Sequence, residues 1–271
     1  MTTWLVDSHL HFYPCYNLDK WLDSIFENFN YYINKKIIND ASIQFVCFLT
    51  ERLSENYFEH LKVKNFHGKY KIELNTANYE SIRIISPTNQ AVTIYPGQQI
   101  VANEGIEVLA LGKKVFTTKP NLTASQILSQ IKGCHAISVL PWSFGKWHGR
   151  RLDVVKDCIA THKNNLYIGD IFGRNAIFGS NFDKIKNEFN IKVLTGSDPL
   201  PIKNEEKYVA NKICVISDQS QLQFDQVIHR LLNQDFSNIE LDSLEVNNPS
   251  TFLILYRQIR LRINCRVLSN D

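Results

Sequence analysis

The chain has 271 residues, of which 44% are hydrophobic and 21% charged, and its 30 Lys and Arg against 27 Asp and Glu leave a formal charge of +3. That composition excludes a disordered chain, and the near-balance of charge removes the global pull towards nucleic acid or anionic membranes that a strongly basic domain carries. No run reaches the ~18–20 apolar residues that a membrane span needs.

The chain enters directly on Thr3-Trp4-Leu5-Val6-Asp7, without a basic stretch and long apolar core ahead of it, so no secretory leader is expected. Cys15, Cys47, Cys134, Cys158, Cys214 and Cys265 are scattered, with no C-x-x-C pair, and read as reduced thiols of a cytoplasmic protein. Short β-branched runs then alternate with helical stretches, the pattern of an α/β fold. Thr3–Val6 is a predicted strand ending on Asp7-Ser8-His9. Leu18–Phe29 follows as a helix, with Leu18, Trp21, Leu22, Ile25, Phe26 and Phe29 at helical spacing. Ile43–Leu49 is a second buried strand, ending on Thr50-Glu51-Arg52.

Between Tyr70 and Leu111 the alternation breaks. Ser81–Ile85 and Ala91–Tyr95 flank Ser86-Pro87-Thr88-Asn89-Gln90, which predicts a hairpin, and Glu107–Leu111 adds a strand. Alternation then resumes. Thr123-Ala124-Ser125-Gln126 is a capping box opening a helix to about Lys132. Ala136–Leu140, Leu166–Ile168 and Lys192–Thr195 are predicted strands, and Leu152–Ile159 and Phe182–Phe189 helices. The tail carries helices near Gln221–Leu232 and Pro249–Cys265, the latter with Asn248 as cap. Without a linker or internal repeat, residues 1–245 read as one domain and 246–271 as a C-terminal helix docked on it. Arg257, Arg260, Arg262 and Arg266 make that helix basic. With Leu253, Ile254, Ile259 and Leu261 interleaved, it is expected to turn its apolar residues to the domain and its cations to solvent.

The sharpest chemical signal is Asp7-Ser8-His9-Leu10-His11 at the end of the first strand. Residues two apart on a strand face one side, so His9 and His11 can share one ion. Neutral imidazole suits zinc, manganese and iron. The bland alternative is a pair of polar residues at a solvated strand end. A second signal is Thr195-Gly196-Ser197-Asp198 after the last regular strand, where Asp198 is a candidate ligand or general base. By itself, that Asp is better explained by a strand-to-loop turn in which it caps the following backbone. A third is Pro141-Trp142-Ser143-Phe144-Gly145-Lys146-Trp147-His148-Gly149-Arg150-Arg151, whose aromatic and cationic residues suit a lid over an anionic substrate. Its alternative is a solvated loop with both Trp side chains packed on helices. Asp170 and Arg174, after the next strand, join the same rim.

Together and in this order, these segments resemble the PHP family, the polymerase and histidinol phosphatase domain. Phe45-Val46-Cys47-Phe48-Leu49-Thr50-Glu51-Arg52 is similar to its strand ending in Thr-Asp-His, and Tyr95-Pro96-Gly97-Gln98-Gln99-Ile100 to its Pro-Gly-x-Glu segment. Glu107-Val108-Leu109-Ala110-Leu111-Gly112 resembles the strand that opens on a ligand His, Val139-Leu140-Pro141-Trp142 the His-Pro motif, and Gly196-Ser197-Asp198-Pro199-Leu200 the closing Gly-Ser-Asp-Ala-His. The resemblance spans roughly residues 3 to 216. It implies a distorted (β/α)7 TIM-like barrel with an inserted β-hairpin and C-terminal helices, and a metal-dependent phosphoesterase or other hydrolase.

The departures reshape that expectation. The family builds a two- or three-metal cluster, and His9, His11 and Asp198 match it. At the other ligand positions stand Arg52, Gln99, Glu107, Leu140 and Leu200. Arg52 carries a fixed positive charge and Leu140 and Leu200 carry no donor atom. One divalent ion (zinc, manganese or iron) on His9, His11 and Asp198, with Glu107 as a fourth ligand, is the expectation. Lys146, Arg150 and Arg174 are then expected to hold a small anionic substrate and stabilise its developing charge. The alternative is a PHP-like binding or regulatory protein that has lost its metal, with Arg52 neutralising Glu51, Glu107 and Asp198. A mononuclear amidohydrolase ranks third, because it needs further His ligands on later strands. No phosphate-cradling Gly-x-x-x-x-Gly-Lys loop, dinucleotide fingerprint or Gly-x-Ser-x-Gly elbow occurs.

Overall fold

A computed structural model describes residues 1–35, 42–76, 78–115, 121–175, 179–220, 222–245 and 249–268, with the side chains of the last helix described as far as residue 263. Its framework is one sheet wrapped into a nearly closed, barrel-like α/β fold. In chain order the strands are β1 (Thr2–Leu10), β2 (Ile43–Glu51), β3 (Phe66–His67), β4 (Tyr70–Asn75), β5 (Ser81–Ile85), β6 (Ala91–Val101), β7 (Glu107–Leu111), β8 (Ile137–Pro141), β9 (Leu166–Ile171), β10 (Val193–Gly196), β11 (Lys212–Asp218) and β12 (Ile239–Glu245). The helices are α1 (Leu18–Asn34), α2 (Tyr57–Lys62), α3 (Ala124–Gly133), α4 (Arg150–His162), α5 (Ser180–Phe189), α6 (Phe224–Leu232) and α7 (Thr251–Leu268).

The main sheet runs β10-β9-β8-β7-β6-β2-β1-β11-β12, with β3, β4 and β5 branching from β6. Pairing is parallel between β1 and β2, β2 and β6, β8 and β9, and β9 and β10, but antiparallel at β6–β7, β7–β8 and β1–β11. It is therefore a mixed sheet, not a regular run of eight parallel strands. The expected hairpin forms, Ile85 pairing with Ala91, but its second strand continues through Pro96 and Gly97 to Val101. The capping box forms on Thr123 and Gln126. Strands β3, β4, β11 and β12 and helix α2 had no sequence expectation. Gln221 and Asn248 fall outside the described residues, so the expected cap of the tail helix does too.

Three apolar layers hold the fold. The inner layer joins Trp4, Val6, Val46, Phe48, Leu109 and Val139 to Phe224, Val227 and Leu231 of α6, which plugs one mouth of the barrel. Outside, α1 packs Trp21, Leu22, Ile25 and Phe29 on Phe45, Cys47, Leu49 and Ile94. Helices α3, α4 and α5 cover the outer face of β7, β8 and β9. Among the described residues no helix is long and apolar enough to cross a membrane. The last helix departs from expectation. Arg257 is buried against the domain, whereas Phe252, Tyr256, Ile259 and Ile263 are exposed.

Candidate functional site

The side chains of His9 and His11 reach the open mouth of the barrel through a local irregularity in β1. Asp7 pairs with Cys47 and Leu10 with Leu49, so β1 spends one more residue than β2 over this stretch. This is a β-bulge, and it reverses which residues face in. Leu5 and Leu10 both pack outward on the α1 layer, although five residues separate them. His9 and His11 are thereby turned inward, at 3% and 1% exposure. His9 lies within β1 and His11 is the first residue after it, at the strand end where the sequence reading placed the motif.

Their Nε2 atoms approach to 3.0 Å. Asp198 Oδ1 stands 3.7 Å from His9 Nε2 and 3.6 Å from His11 Nε2, and Gln99 Oε1 3.1 Å from His9 Nε2. Asp198 adopts a left-handed backbone (φ 43°), a conformation that costs a non-glycine residue energy and recurs at functional sites. The strain is held by the seam of the barrel. Asp198 N donates to His9 O at 2.8 Å, and Ser8 Oγ to Thr195 O at 2.8 Å. Beneath them, the fully buried Asp7 accepts from Ser197 N (2.9 Å), Ser197 Oγ (2.5 Å), Ala210 N (2.9 Å) and His9 N (3.1 Å).

The donor set fits a divalent cation. Burial holds His11 well below the ordinary imidazole range, helped by the charges of His9 and Arg52 and only partly offset by Gln99 and Thr50. A neutral imidazole has the lone pair that a metal requires. Among the described residues, no N–H or O–H hydrogen-bonds the Asp198 carboxylate, which faces both histidines instead. Two like ring nitrogens and a carboxylate, all within 4.8 Å of one another, make a group of potential ligands. Burial raises the Asp198 carboxyl above its usual range, with His9 opposing the rise. A cation would remove that penalty.

The group opens into a cleft of about 320 Å³ whose walls include Tyr13, Trp142, Phe144, Leu200 and Leu261. Glu107 and Lys146 are both on its surface, but bound to each other. Lys146 Nζ lies 2.6 Å from Glu107 Oε1, and Ser143 Oγ donates to the other oxygen. Burial works against ionising Glu107, yet Lys146 and Ser143 outweigh it and hold the carboxyl below its usual range. Glu107 thus stands outside the three-residue group in which it was expected as a fourth ligand. Leu140 is in the apolar outer layer. Arg52 points to the cleft and lies 5.3 Å from the Tyr13 ring, not paired with Asp198. Glu51, its neighbour, is turned to Lys114 at 2.5 Å.

The aromatic loop is not a lid. Trp142 and Trp147 are 1% and 2% exposed and belong to the outer core, with Trp147 Nε1 donating to Pro141 O. Arg150 is exposed at the start of α4 and does not line the cleft. Arg174 is taken by Asp170, in two bonds of 2.7 Å, and by Asp183. Lys212 completes the cluster at 3.2 Å from Asp170. Burial opposes ionising Asp170, but Arg174 and Lys212 prevail and keep its carboxyl below the ordinary 3.8. The native state therefore sheds this proton more readily than the unfolded chain. The resulting stability is complete above about pH 3.8 and is lost as pH falls through the lower native value. Asp170→Asn is expected to cost about 2 kcal/mol at pH 7, since two buried cations lose their counter-charge. Urea titrations should show that deficit constant from pH 7 to 5 and shrinking below 3.8; an equal deficit at pH 3 would refute the assignment.

Sequence reasoning missed four participants. Tyr13 had a signal, because His9, His11 and Tyr13 recur at a spacing of two, and its ring stacks on His11 at 5.2 Å. Asp7 lay inside the motif but was read only as the strand end. Gln99 was read as a lost ligand, although it bonds His9. Arg257 was assigned to a solvated face, and no local pattern distinguishes it from the other three arginines of the tail.

No protein-family model and no curated protein sequence matches the chain. Among solved structures, the fold is similar to the crystal structure of PsfC from Pseudomonas syringae PB-5123, with a TM-score of 0.55 and 12% identity over 97% of this chain and 99% of that one. At that identity the likeness is one of fold.

Proposed function

We propose that the chain is a metal-dependent hydrolase of the PHP type, built on a distorted (β/α)7 barrel, that acts on a small anionic substrate with one divalent ion held by His9, His11 and Asp198. The observation that carries this reading is the convergence of those three side chains at the barrel mouth. The chemistry such an ion supplies is Lewis acidity, which lowers the pKa of water into the neutral range. The chain's own residues do the rest. Gln99 fixes the His9 ring through its amide oxygen. Lys146, held by Glu107, places a positive charge on the cleft wall. Trp142, Phe144 and Leu200 exclude water from one side. Five described cysteines are free thiols, which supports a cytoplasmic setting.

Metal analysis of protein purified without chelator tests the reading. About one equivalent of zinc, manganese or iron is expected per chain, and His9→Ala or Asp198→Ala should weaken Mn²⁺ binding by more than about 100-fold, beyond what losing a hydrogen-bond partner of a ligand costs. Absence of bound metal, with no Mn²⁺ uptake at millimolar concentration, would leave the alternative of a binding or regulatory protein on the same barrel. That second reading draws on Arg52 and Leu200, which occupy the cleft where the family places ligands.

A further inference from the structure

Three cationic side chains line the cleft: Arg52, Lys146 and Arg257. Two are already neutralised. Lys146 is bound to Glu107 at 2.6 Å, and Arg257 to Glu205 at 2.7 Å, against the stacked rings of Phe172 and Tyr208. Arg52 is different. Among the described residues it makes no ion pair with a carboxylate within 4.0 Å, although it lines the cleft from an exposed position. Its nearest acid, Glu55, spends one oxygen on the Arg52 backbone N–H at 2.8 Å. The side chain is steadied instead by Tyr13, through the ring face and the phenol oxygen. A guanidinium has five N–H donors in a fixed planar fork. Tyr13 occupies part of that set, so the remainder is uncommitted.

We infer that Arg52, braced on Tyr13, is the anchor for a single carboxylate, and that the substrate of this site is a small monocarboxylate with an apolar body lying along Phe144, Leu200 and Leu261. The inference rests on the hydrolase reading for what happens to the bound molecule, but not for its being held. Charge selects the carboxylate over a phosphate. One free cation balances one negative charge, whereas a phosphate monoester carries close to two near pH 7. In the cleft without an ion, the surplus would face the Asp198 carboxylate on the same wall, a like charge with no cation bound to it. Shape agrees, because a planar fork matches a planar carboxylate bidentately. The walls favour an apolar body, since an aromatic ring and two leucines offer it contact without leaving polar groups unsatisfied. Arg52 is one ring away from His11, for Tyr13 stacks on both. The anchor is thus set beside the candidate metal ligands and apart from them.

Ligand-observed NMR on protein stripped by a chelating resin tests the anchor without interference from a metal. The probes are phenylacetate, phenyl phosphate and the neutral benzyl alcohol, which share one ring. Phenylacetate is expected to bind about 10-fold or more tightly than either of the others. Arg52→Gln should weaken it by roughly 10–100-fold, the worth of a charged hydrogen-bonded pair, and Arg52→Lys by less. Tyr13→Phe should weaken it several-fold while keeping the ring stack. Phenyl phosphate binding as tightly as phenylacetate, or unchanged phenylacetate binding by Arg52→Gln, overturns the proposal. Mn²⁺ affinity measured on the same variants by EPR separates the two readings. Phenylacetate binding lost with Arg52 while the wild-type chain takes up no Mn²⁺ supports the anchor and sinks only the hydrolase.

Discussion

An Asp7→Ala chain is expected to lose about 5 kcal/mol of stability, or roughly 10–20 °C in Tm for a chain of this size. The carboxylate is wholly buried and gathers three backbone N–H groups and one hydroxyl, from β1, the loop after β10 and the residue Ala210 before β11. Removing it leaves His9 N, Ser197 N and Ala210 N without an acceptor in a region closed to water. Each such group costs about 1–3 kcal/mol, and partial relaxation keeps the total below their sum. The same donors fix the seam that presents Asp198 to the histidines, so Mn²⁺ affinity should fall with stability. Asp235→Ala serves as the control, because that carboxylate is exposed and, among the described residues, hydrogen-bonds only Ser237; it should stay within about 0.5 kcal/mol. A Tm within 2 °C of the parent for Asp7→Ala would remove Asp7 from its central place.

Gly196→Ala is the second large effect, at about 3 kcal/mol, the upper range for overpacking a rigid site. A methyl group at Gly196 would sit 2.5 Å from His9 Cβ and 2.8 Å from His9 Cα, and nearer still to its backbone nitrogen. The obstacle is the backbone of β1 itself, so no side-chain rotation relieves it. Either β10 moves away from β1, which opens the barrel, or His9 is displaced. Both outcomes should lower Tm by roughly 6–12 °C and weaken Mn²⁺ binding. Gly133→Ala is the contrast. Nothing lies within 4 Å of a methyl group there, and in a helix the change should be neutral or stabilising by up to about 1 kcal/mol. Equal thermograms for the two alanine variants would show that the seam tolerates a side chain.

Much of this was legible before any coordinates. Wherever a run had a clear period and a boundary signal, the element formed close to its expected place, as at Glu107–Leu111, the Ser81 hairpin and the Thr123 capping box. The pairing of His9 with His11, and their meeting with Asp198, followed from a spacing of two and from strand ends that converge. What escaped was tertiary. Lys212–Asp218 and Ile239–Glu245 are strands because they extend the sheet beyond β1. Ile239–Glu245 is too mixed in polarity to announce it, whereas Ile213-Cys214-Val215-Ile216 carries a strand signal that the sequence reading passed over. Arg150 stands among Lys146, His148 and Arg151 and Arg174 four residues after Asp170, and the fold gives Asp170 to Arg174 and solvent to Arg150. Trp142 and Trp147 read as a lid because loop aromatics near cations resemble one; burial against α4 and α5 decides otherwise.

The bulge between Asp7 and Leu10 has a consequence for how such a site is gained or lost. Strand residues alternate between two faces, so the extra residue in β1 works as a parity switch for everything downstream in the strand. With Ser8 kept but the bulge flattened into regular pairing, strict alternation from Leu5 would send both imidazoles to the α1 side and bring Leu10 to the mouth. All three donor residues would still be encoded. A protein of this architecture can therefore retain every ligand in its sequence and have no centre, without any substitution at the positions that a motif search inspects.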